Sequence, residues 1–127
     1  MINIDADVRR DSTRDRNRRF DGCRLVTTEV GGKKAMKMWL EPGFNWTKTI
    51  RPLLPGCPEW CPATHFGYLE QGTMKVEYEN GTSETINAGE TYLCTPGHRP
   101  EILGDKTTIM VEFSESTAKV IDDMKKD

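Results

Sequence analysis

The sequence predicts an all-β fold, a sandwich or barrel of short strands followed by one C-terminal helix. From Arg24 onward, short runs of β-branched and aromatic residues are separated by Gly, Pro and Asn turn residues. Eight or more strands at this spacing are typical of a sandwich or barrel, which leaves few strand edges exposed. The 127 residues suffice for one domain with a single hydrophobic core.

Residues 1–24 form a polar lead-in that is rich in Arg and Asp. Seven arginines lie between residues 9 and 24, but five aspartates between Asp5 and Asp21 offset them. This balance predicts a solvated, partly irregular segment rather than a phosphate-binding arm. Apolar and polar side chains alternate in MINIDADV, which would suit an edge strand or a strand swapped between subunits.

The predicted strands cover residues 25–114. In chain order they are RLVTTEV, AMKMWL, NWTKTI, HFGYLEQG, TMKVEYE, SETINAG, TYLCTPG, RPEILGD and TTIMVEF. Asn80–Gly81 separates the fifth run from the sixth and predicts a hairpin turn, because both residues tolerate the positive φ angles that such turns need.

Side-chain periodicity supports these assignments. Met74 and Val76 lie on one face of their strand, and Ile109, Val111 and Phe113 share one face of the last strand. Residues 115–127 instead show helical spacing and are predicted to form the only helix. Its apolar positions and its candidate N-caps are Ala118, Ile121 and Met124, and Ser114 or Ser116.

Charge and composition exclude several classes of function. The 18 basic and 20 acidic residues leave a formal net charge of -2, which gives no reason to expect a nucleic-acid partner. No apolar run approaches the roughly 20 residues that span a bilayer, so no membrane partner is expected. The N-terminus lacks the basic start and continuous apolar segment of a secretory signal, and we therefore expect a cytoplasmic protein.

The four cysteines are expected to stay reduced in a cytoplasmic chain of this length. Cys94 lies in the apolar run TYLC and is predicted to be a small core residue. Cys57 and Cys61 are separated by three residues, so they could form a redox pair, or Cys57 could serve as an alternative metal ligand.

The polar stretch EWCPATHFGYLEQG brings ligand-type side chains together. Glu59 and Cys61 project to the same side of an extended chain, and His65 keeps that parity unless the chain bulges at Pro62. His98 would reach the same point from a neighbouring strand. Carboxylate, thiolate and two imidazoles suit one divalent metal ion, zinc first, with iron, nickel or cobalt as alternatives.

Two questions stay open at this point. Cys61 and His65 could be ordinary interior residues, a small apolar side chain and a hydrogen-bonded imidazole. If a metal is bound, Glu59 decides its chemistry. As a fourth ligand Glu59 would close a structural site, whereas a free Glu59 would leave one position open and could act as a general base.

This stretch and a second one, NAGETYLCTPGHRPEI, resemble the two sequence motifs of the cupins. The first cupin motif reads H-x-H, then three residues, E, six residues and G. Here Glu59-x-Cys61 stands in place of H-x-H, His65 in place of the acid, and Gly72 in place of the glycine. The spacing is therefore kept while the ligand types are permuted.

The second cupin motif runs from a glycine through a strand to Pro, Gly and His. It is matched by Gly89, Pro96, Gly97 and His98, while many cupins have the histidine where this chain has Pro100. The resemblance covers most of the chain. The first stretch is also similar to that of a divergent branch of cupins with cysteine in the first motif. It implies a cupin-type double-stranded β-helix, a jelly-roll barrel, around the proposed ligands.

The resemblance also carries expectations about function. Cupin barrels often hold metal-dependent enzymes, which favours an isomerase, lyase or oxygenase acting on a small polar or carboxylate-bearing molecule. A non-catalytic barrel that binds or senses a small ligand around a structural metal is the alternative. A homodimer is expected, because such barrels often pair. Side chains that would line a substrate pocket are Trp39, Trp46, Phe66, Tyr68, Tyr92 and Arg99.

Overall fold

The computed structural model describes residues 14–125, which form two antiparallel β-sheets and a C-terminal helix. Its strands are Arg14–Phe20 (β1), Cys23–Val30 (β2), Lys33–Leu40 (β3), His65–Gln71 (β4), Thr73–Tyr78 (β5), Ser83–Asn87 (β6), Thr91–Cys94 (β7), His98–Leu103 (β8) and Thr108–Glu112 (β9). Its helical segments are Trp46–Thr49 (α1), a short 3-10 helix at Arg51–Leu53, and Glu115–Asp123 (α2). The prediction of an all-β fold with a short C-terminal helix is confirmed.

The larger sheet has six strands in the order β1-β2-β3-β9-β4-β7, and the smaller has three in the order β6-β5-β8. All neighbouring strands pair antiparallel. β5 and β6 form a hairpin around Asn80–Gly81, where Gly81 has a φ of 90°, as the turn signal predicted.

Residues from both sheets and from α2 form one buried hydrophobic cluster. Alternate side chains of β2 and β3 are buried, which is the pattern expected of strands with one solvent-facing side. α2 begins after Ser114, one of the two predicted N-caps, whose side chain accepts a hydrogen bond from the backbone N–H of Thr117. Between residues 14 and 125, no helix is long and apolar enough to cross a membrane.

The last strand, β9, buries the face that carries its one acidic residue. Thr108, Met110 and Glu112 are buried, whereas Val111 is half-buried and Phe113 is 57% exposed. The distribution of apolar residues alone would have favoured the opposite face. The contacts of Glu112 inside the fold, described below, explain why this orientation is stable.

The run NWTKTI was predicted as a strand and is helical, so that prediction is wrong. Asn45 caps α1 by accepting a hydrogen bond from the backbone N–H of Lys48 (3.0 Å), and Pro52 lies in the first turn of the 3-10 helix that follows. Asn at an N-cap and Pro at a helix start both favour helix locally. These two signals outweigh the β-propensity of Trp46 and Thr47.

Arg14–Phe20, within the predicted lead-in of residues 1–24, forms the edge strand β1 of the larger sheet. The Arg18 guanidinium donates hydrogen bonds to the carbonyls of Ile121 (2.9 Å), Met124 (3.2 Å) and Lys125 (2.7 Å). These carbonyls lie at and just beyond the C-terminal end of α2, where backbone carbonyls lack the i+4 N–H donor of a continuing helix. Arg18 therefore ties the edge strand to the helix. The strand predicted in MINIDADV lies outside the described residues.

Candidate metal centre

Cys61, His65 and His98 come together inside the fold. Their ligand atoms all lie within 4.8 Å of one another, and the Cys61 sulfur is 3.5 Å from Nε2 of His65. Zn–S and Zn–N bonds of about 2.3 and 2.0 Å at a tetrahedral angle place sulfur and nitrogen about 3.5 Å apart. The spacing of this group is therefore that of a site that could hold a metal ion.

The backbone places Cys61 next to His98. The N–H of Cys61 donates to the carbonyl of His98 (2.8 Å), and the N–H of Gly97 donates to the carbonyl of Cys61 (2.9 Å). Gly97 has a φ of 90°, which other residues adopt only with strain, so this turn requires a glycine. His65 begins β4 of the larger sheet and His98 begins β8 of the smaller one. The group thus lies where the two sheets meet.

A buried carboxylate holds His65 in place. Glu112 is 1% exposed, and its Oε1 lies 2.7 Å from Nδ1 of His65. Tyr92 donates to the other oxygen (2.5 Å), and the hydroxyl of Thr117 donates to Oε1 (2.7 Å). Nδ1 of His65 therefore donates to the carboxylate, and Nε2 faces the Cys61 sulfur. This is how histidine ligands are held at protein metal sites.

Gly67 makes room for that carboxylate. Tyr92, Gly67 and Glu112 lie side by side on β7, β4 and β9. A Cβ added at Gly67 would come within 2.3 Å of the Val111 carbonyl oxygen and 2.8 Å of the Glu112 Cγ. With glycine on the middle strand, the Glu112 side chain lies close to the backbone and Tyr92 reaches across to it.

A backbone carbonyl holds His98. Its Nδ1 lies 2.5 Å from the carbonyl oxygen of Thr95 and donates to it, which leaves Nε2 as the free nitrogen. His98 is buried, and its ring meets that of His65 edge to face with the centroids 4.8 Å apart. Both imidazoles thus keep Nε2 available for a ligand.

The charges around the group favour a thiolate beside an imidazolium. Burial would raise the pKa of the Cys61 thiol, but its hydrogen bonds to His65 and His98, and their charge, lower it to about 6. Burial would lower the pKa of His65, but the charge of Glu112 and hydrogen bonds to Cys61 and Glu112 raise it to about 10. Burial would likewise raise the pKa of Glu112, yet the charge of His65 and three hydrogen bonds hold it below its usual range. Cys61 is therefore in the thiolate form that metals bind.

The other cysteines lie outside the group. Cys94 is buried, and burial raises the pKa of its thiol to about 12, as expected of a small core residue. Cys57 is exposed, and none of the four cysteines forms a disulfide. No disulfide joins Cys57 to Cys61.

The carboxylate that contacts the Cys–His–His group is that of Glu112. Glu59 is exposed and does not belong to the group of Cys61, His65 and His98. Sequence reasoning missed Glu112 because the strand TTIMVEF carries its larger apolar residues on the other face. The signal that could have found it is an acidic residue at the inward parity of a core strand, where a carboxylate needs a partner.

A cavity of about 90 Å³ adjoins the group. Cys61, His65 and His98 all line it, and most of the remaining lining is apolar. Of the predicted pocket residues, Trp46 and Tyr92 also line this cavity.

The other four predicted pocket residues lie away from this cavity. Phe66 and Tyr68 are 49% and 43% exposed, because they alternate along β4 with the inward-facing positions. Arg99 lies over the ring of Trp60, 3.8 Å from its centroid. Trp39 is half-buried on the outer side of β3, under the guanidinium of Arg24 at 4.6 Å.

The fold and the site define a class of protein: a two-sheet β-protein whose interior carries a Cys–His–His group that could hold one metal ion. No protein-family model and no curated protein matches the sequence.

Several solved structures share the fold at low sequence identity. A protein of unknown function (DUF1255) from Acinetobacter sp. ADP1 has a TM-score of 0.54 and 15% identity, over 81% of this chain and 92% of that one. VPA0057 from Vibrio parahaemolyticus, also of unknown function, has a TM-score of 0.54 and 13% identity, over 80% and 98%. A DUF1255 protein from Acidithiobacillus ferrooxidans has a TM-score of 0.53 and 13% identity, over 80% and 86%. At this identity the likeness shows the fold alone.

Proposed function

We propose that this chain is a cupin-type metal-binding protein in which Cys61, His65 and His98 hold one zinc ion. The observation that carries the proposal is the engagement of both Nδ1 atoms. Glu112 accepts from His65 and the carbonyl of Thr95 accepts from His98, so Nε2 of each ring remains for a metal. Ordinary interior residues would not require two imidazoles oriented in this way beside a thiolate.

Zinc suits this set of donors best. One thiolate and two neutral imidazoles are ligands that zinc takes in tetrahedral sites, and three protein ligands leave a fourth position for a small molecule. Ferrous iron usually takes a carboxylate beside two histidines. The carboxylate here, Glu112, is engaged by His65, Tyr92 and Thr117 instead. Nickel and cobalt stay secondary candidates, and copper also binds a Cys–His–His set.

The cupin fold is part of this proposal. The two polar stretches EWCPATHFGYLEQG and NAGETYLCTPGHRPEI meet at the backbone bridge between Cys61 and His98. The cupin resemblance implies such a meeting of its two motifs around one metal. The arrangement of the chain in two antiparallel sheets also supports a jelly-roll fold.

Binding of a small ligand at the fourth position has more support than acid–base catalysis. Glu112 accepts hydrogen bonds from three side chains, and Glu59 is exposed, so neither is placed as a free general base. A bound zinc ion would supply Lewis-acid polarisation of a coordinated ligand. We therefore rank a ligand-binding or sensing role ahead of isomerase, lyase or oxygenase activity.

Elemental analysis of untagged protein tests the metal site. We expect about one zinc per chain, falling close to zero in Cys61→Ser and in His65→Ala, because each variant removes one of three ligands. Cys57→Ser is the matched control, since Cys57 is an exposed cysteine. Circular dichroism shows whether the variants stay folded. Equal metal content in Cys61→Ser and Cys57→Ser would contradict the proposal.

We also propose that the protein is a homodimer. Among the described residues, four large apolar side chains are exposed, namely Phe66 (49%), Tyr68 (43%), Leu93 (56%) and Phe113 (57%). Phe66 pairs with Leu93 between β4 and β7, and the N–H of Phe113 donates to the Phe66 carbonyl, so these three are neighbours. Grouped exposed apolar side chains often mark an interface. Analytical ultracentrifugation tests this, and a monomer at high concentration would count against it.

A further inference from the structure

The lining of the cavity beside the Cys–His–His group has a polar part and an apolar part. The polar part consists of the three candidate ligands with Tyr92, Glu112 and Thr117. The remaining lining comes from both sheets and from both helices and is aliphatic, aromatic or sulfur-containing. What this lining accepts determines the ligand that could occupy the fourth position of the proposed metal, so the inference rests on the proposed function.

The polar part of the lining has few hydrogen-bonding groups left for a ligand. The hydroxyls of Tyr92 and Thr117 both donate to Glu112, and Nδ1 of His98 donates to a backbone carbonyl. Among the described lining side chains, the indole of Trp46 supplies the one N–H outside the two histidines, and the thiols of Cys23 and Cys94 are weak donors. A hydroxyl or carboxylate moved from water into this cavity would lose its hydration with little compensation.

The apolar part of the lining is adaptable, and the cavity as a whole is small. Its lining includes four methionines, Met38, Met74, Met110 and Met124, whose unbranched thioether side chains adjust to irregular shapes. The cavity of about 90 Å³ is smaller than the roughly 150 Å³ cavity known to hold benzene. A water needs only about 10–15 Å³ of such volume, so the cavity has room for a short chain of a few non-hydrogen atoms.

We propose that the ligand of this site is a short aliphatic molecule that carries a single metal-coordinating atom. That atom occupies the fourth position beside Cys61, His65 and His98, and the hydrocarbon part lies among the methionines and aliphatic side chains. This class differs from the polar, carboxylate-bearing molecule that the family resemblance favours.

A matched pair of thiols tests the inference on the unmodified protein. 1-Propanethiol and 2-mercaptoethanol have the same number of non-hydrogen atoms and differ in a terminal methyl or hydroxyl group. Cobalt-substituted protein is titrated with each under anaerobic conditions, and the visible cobalt bands report binding. We expect 1-propanethiol to bind about 10- to 100-fold more tightly, because a buried hydroxyl without a partner is costly. Equal affinity, or tighter binding of 2-mercaptoethanol, overturns the inference.

The length of the alkyl chain provides a second criterion on the same protein. Affinity should rise from ethanethiol to 1-butanethiol as more CH₂ groups are buried, and then fall at 1-hexanethiol, which exceeds the cavity. Affinity that keeps rising through 1-hexanethiol would show that the alkyl chain binds elsewhere and would overturn the inference.

A pair of variants locates the binding in the cavity. Val76 lines the cavity, whereas Ile86 is buried in the same small sheet outside the lining. Val76→Met should fill the space and weaken 1-propanethiol binding at least tenfold with cobalt content unchanged. Ile86→Met should change the affinity by less than about twofold. Equal effects of the two variants would overturn the assignment to this cavity.

Xenon separates a failure of this inference from a failure of the proposed metal site. Xenon enters apolar cavities without a metal, so ¹²⁹Xe NMR of metal-free protein should show saturable binding that Val76→Met removes and Ile86→Met retains. If cobalt is not bound but xenon is, the metal assignment fails and the apolar cavity stands. If cobalt is bound, xenon is not, and the two thiols bind equally, the inference fails and the metal site stands.

Discussion

His65 and His98 belong to one group, yet the fold orients them by different means. His65 is held by the carboxylate of Glu112, which itself accepts hydrogen bonds from Tyr92 and Thr117. His98 is held by the carbonyl of Thr95, three residues earlier in the same turn. The first support is built from side chains on separate elements. The second is one backbone group.

This difference determines which substitutions can disrupt the support of each histidine. A support made of side chains can be removed by one substitution, and its charge also changes the protonation of the histidine that it holds. A backbone carbonyl stays in place whatever side chain its residue carries. We therefore expect the His65 side to be sensitive to mutation and to pH, and the His98 side to be robust.

The largest effect is expected from Gly67→Ala, which displaces the backbone next to Glu112 and so disrupts the support of His65. The new methyl group would lie 2.3 Å from the Val111 carbonyl oxygen and 2.8 Å from the Glu112 Cγ, so β4 and β9 must separate. We expect the free energy of unfolding to fall by about 2–3 kcal/mol. We also expect the zinc affinity of the folded protein to fall about 100-fold, because Glu112 is displaced from His65. Urea denaturation and competitive chelator titration measure the two quantities.

Gly72→Ala is the matched control for that variant. Gly72 has a φ of 89°, and an added Cβ would lie 2.4 Å from Oγ1 of Thr108, at the other end of the same strand pair. It should destabilise the fold comparably while leaving the zinc affinity of the folded fraction unchanged. If Gly67→Ala and Gly72→Ala lower the zinc affinity equally, the claim that Gly67 keeps Glu112 in place beside His65 is wrong.

Glu112→Gln tests the carboxylate itself. The substitution keeps the shape of the side chain and removes the charge that holds His65, so we expect a 10- to 100-fold loss of zinc affinity. Glu59→Gln makes the same chemical change at an exposed acid outside the group and should leave the affinity within about twofold. A larger loss in Glu59→Gln than in Glu112→Gln would assign the site's carboxylate to Glu59 after all.

The pH dependence of zinc binding separates the Cys61 thiolate from the His65 imidazolium. The pKa of Cys61 is lowered to about 6 and that of His65 is raised to about 10, so at neutral pH the thiol proton has left and the His65 proton has not. Zinc must displace one proton from His65, and the logarithm of its affinity should rise by about one per pH unit between about pH 7 and 9. Calorimetry in two buffers counts the protons released.

In Glu112→Gln the same slope should become shallower. Without the charge of Glu112 the pKa of His65 falls, and less of the imidazole is protonated between about pH 7 and 9. An unchanged slope in this variant would mean that Glu112 does not control the charge of His65.

The strands of this fold could largely be predicted from the sequence because their signals are local. Turn residues and period-two alternation act over a few positions, and Asn80–Gly81 is one example. The strand prediction for NWTKTI was wrong because it rested on β-propensity. That propensity mainly reports how a side chain packs on a pleated surface and does not fix the local backbone. The N-cap Asn45 and the following Pro52 provided competing local interactions that favour helix.

The candidate site was only partly predictable for the same reason. Spacing within one stretch suggested Cys61 and His65, and the second motif suggested His98. Glu112 could not be found in this way, because its contact with His65 spans 47 residues and depends on the pairing of β4 with β9. The role of Gly67 likewise depends on strand pairing, because Tyr92 and Glu112 lie on the two strands that flank it. Such supports require the sheet order, which local patterns do not provide.

Thr95→Ala should have the smallest effect and gives the sharpest contrast with Glu112→Gln. The Thr95 side chain is exposed, and the group that contacts His98 is its carbonyl oxygen, which alanine also has. We expect zinc affinity within about twofold of the unmodified protein, since neither charge nor geometry at His98 changes. The same chelator titration measures it. A tenfold loss would show that His98 depends on a side chain as His65 does, and the distinction between the two histidines would then be lost.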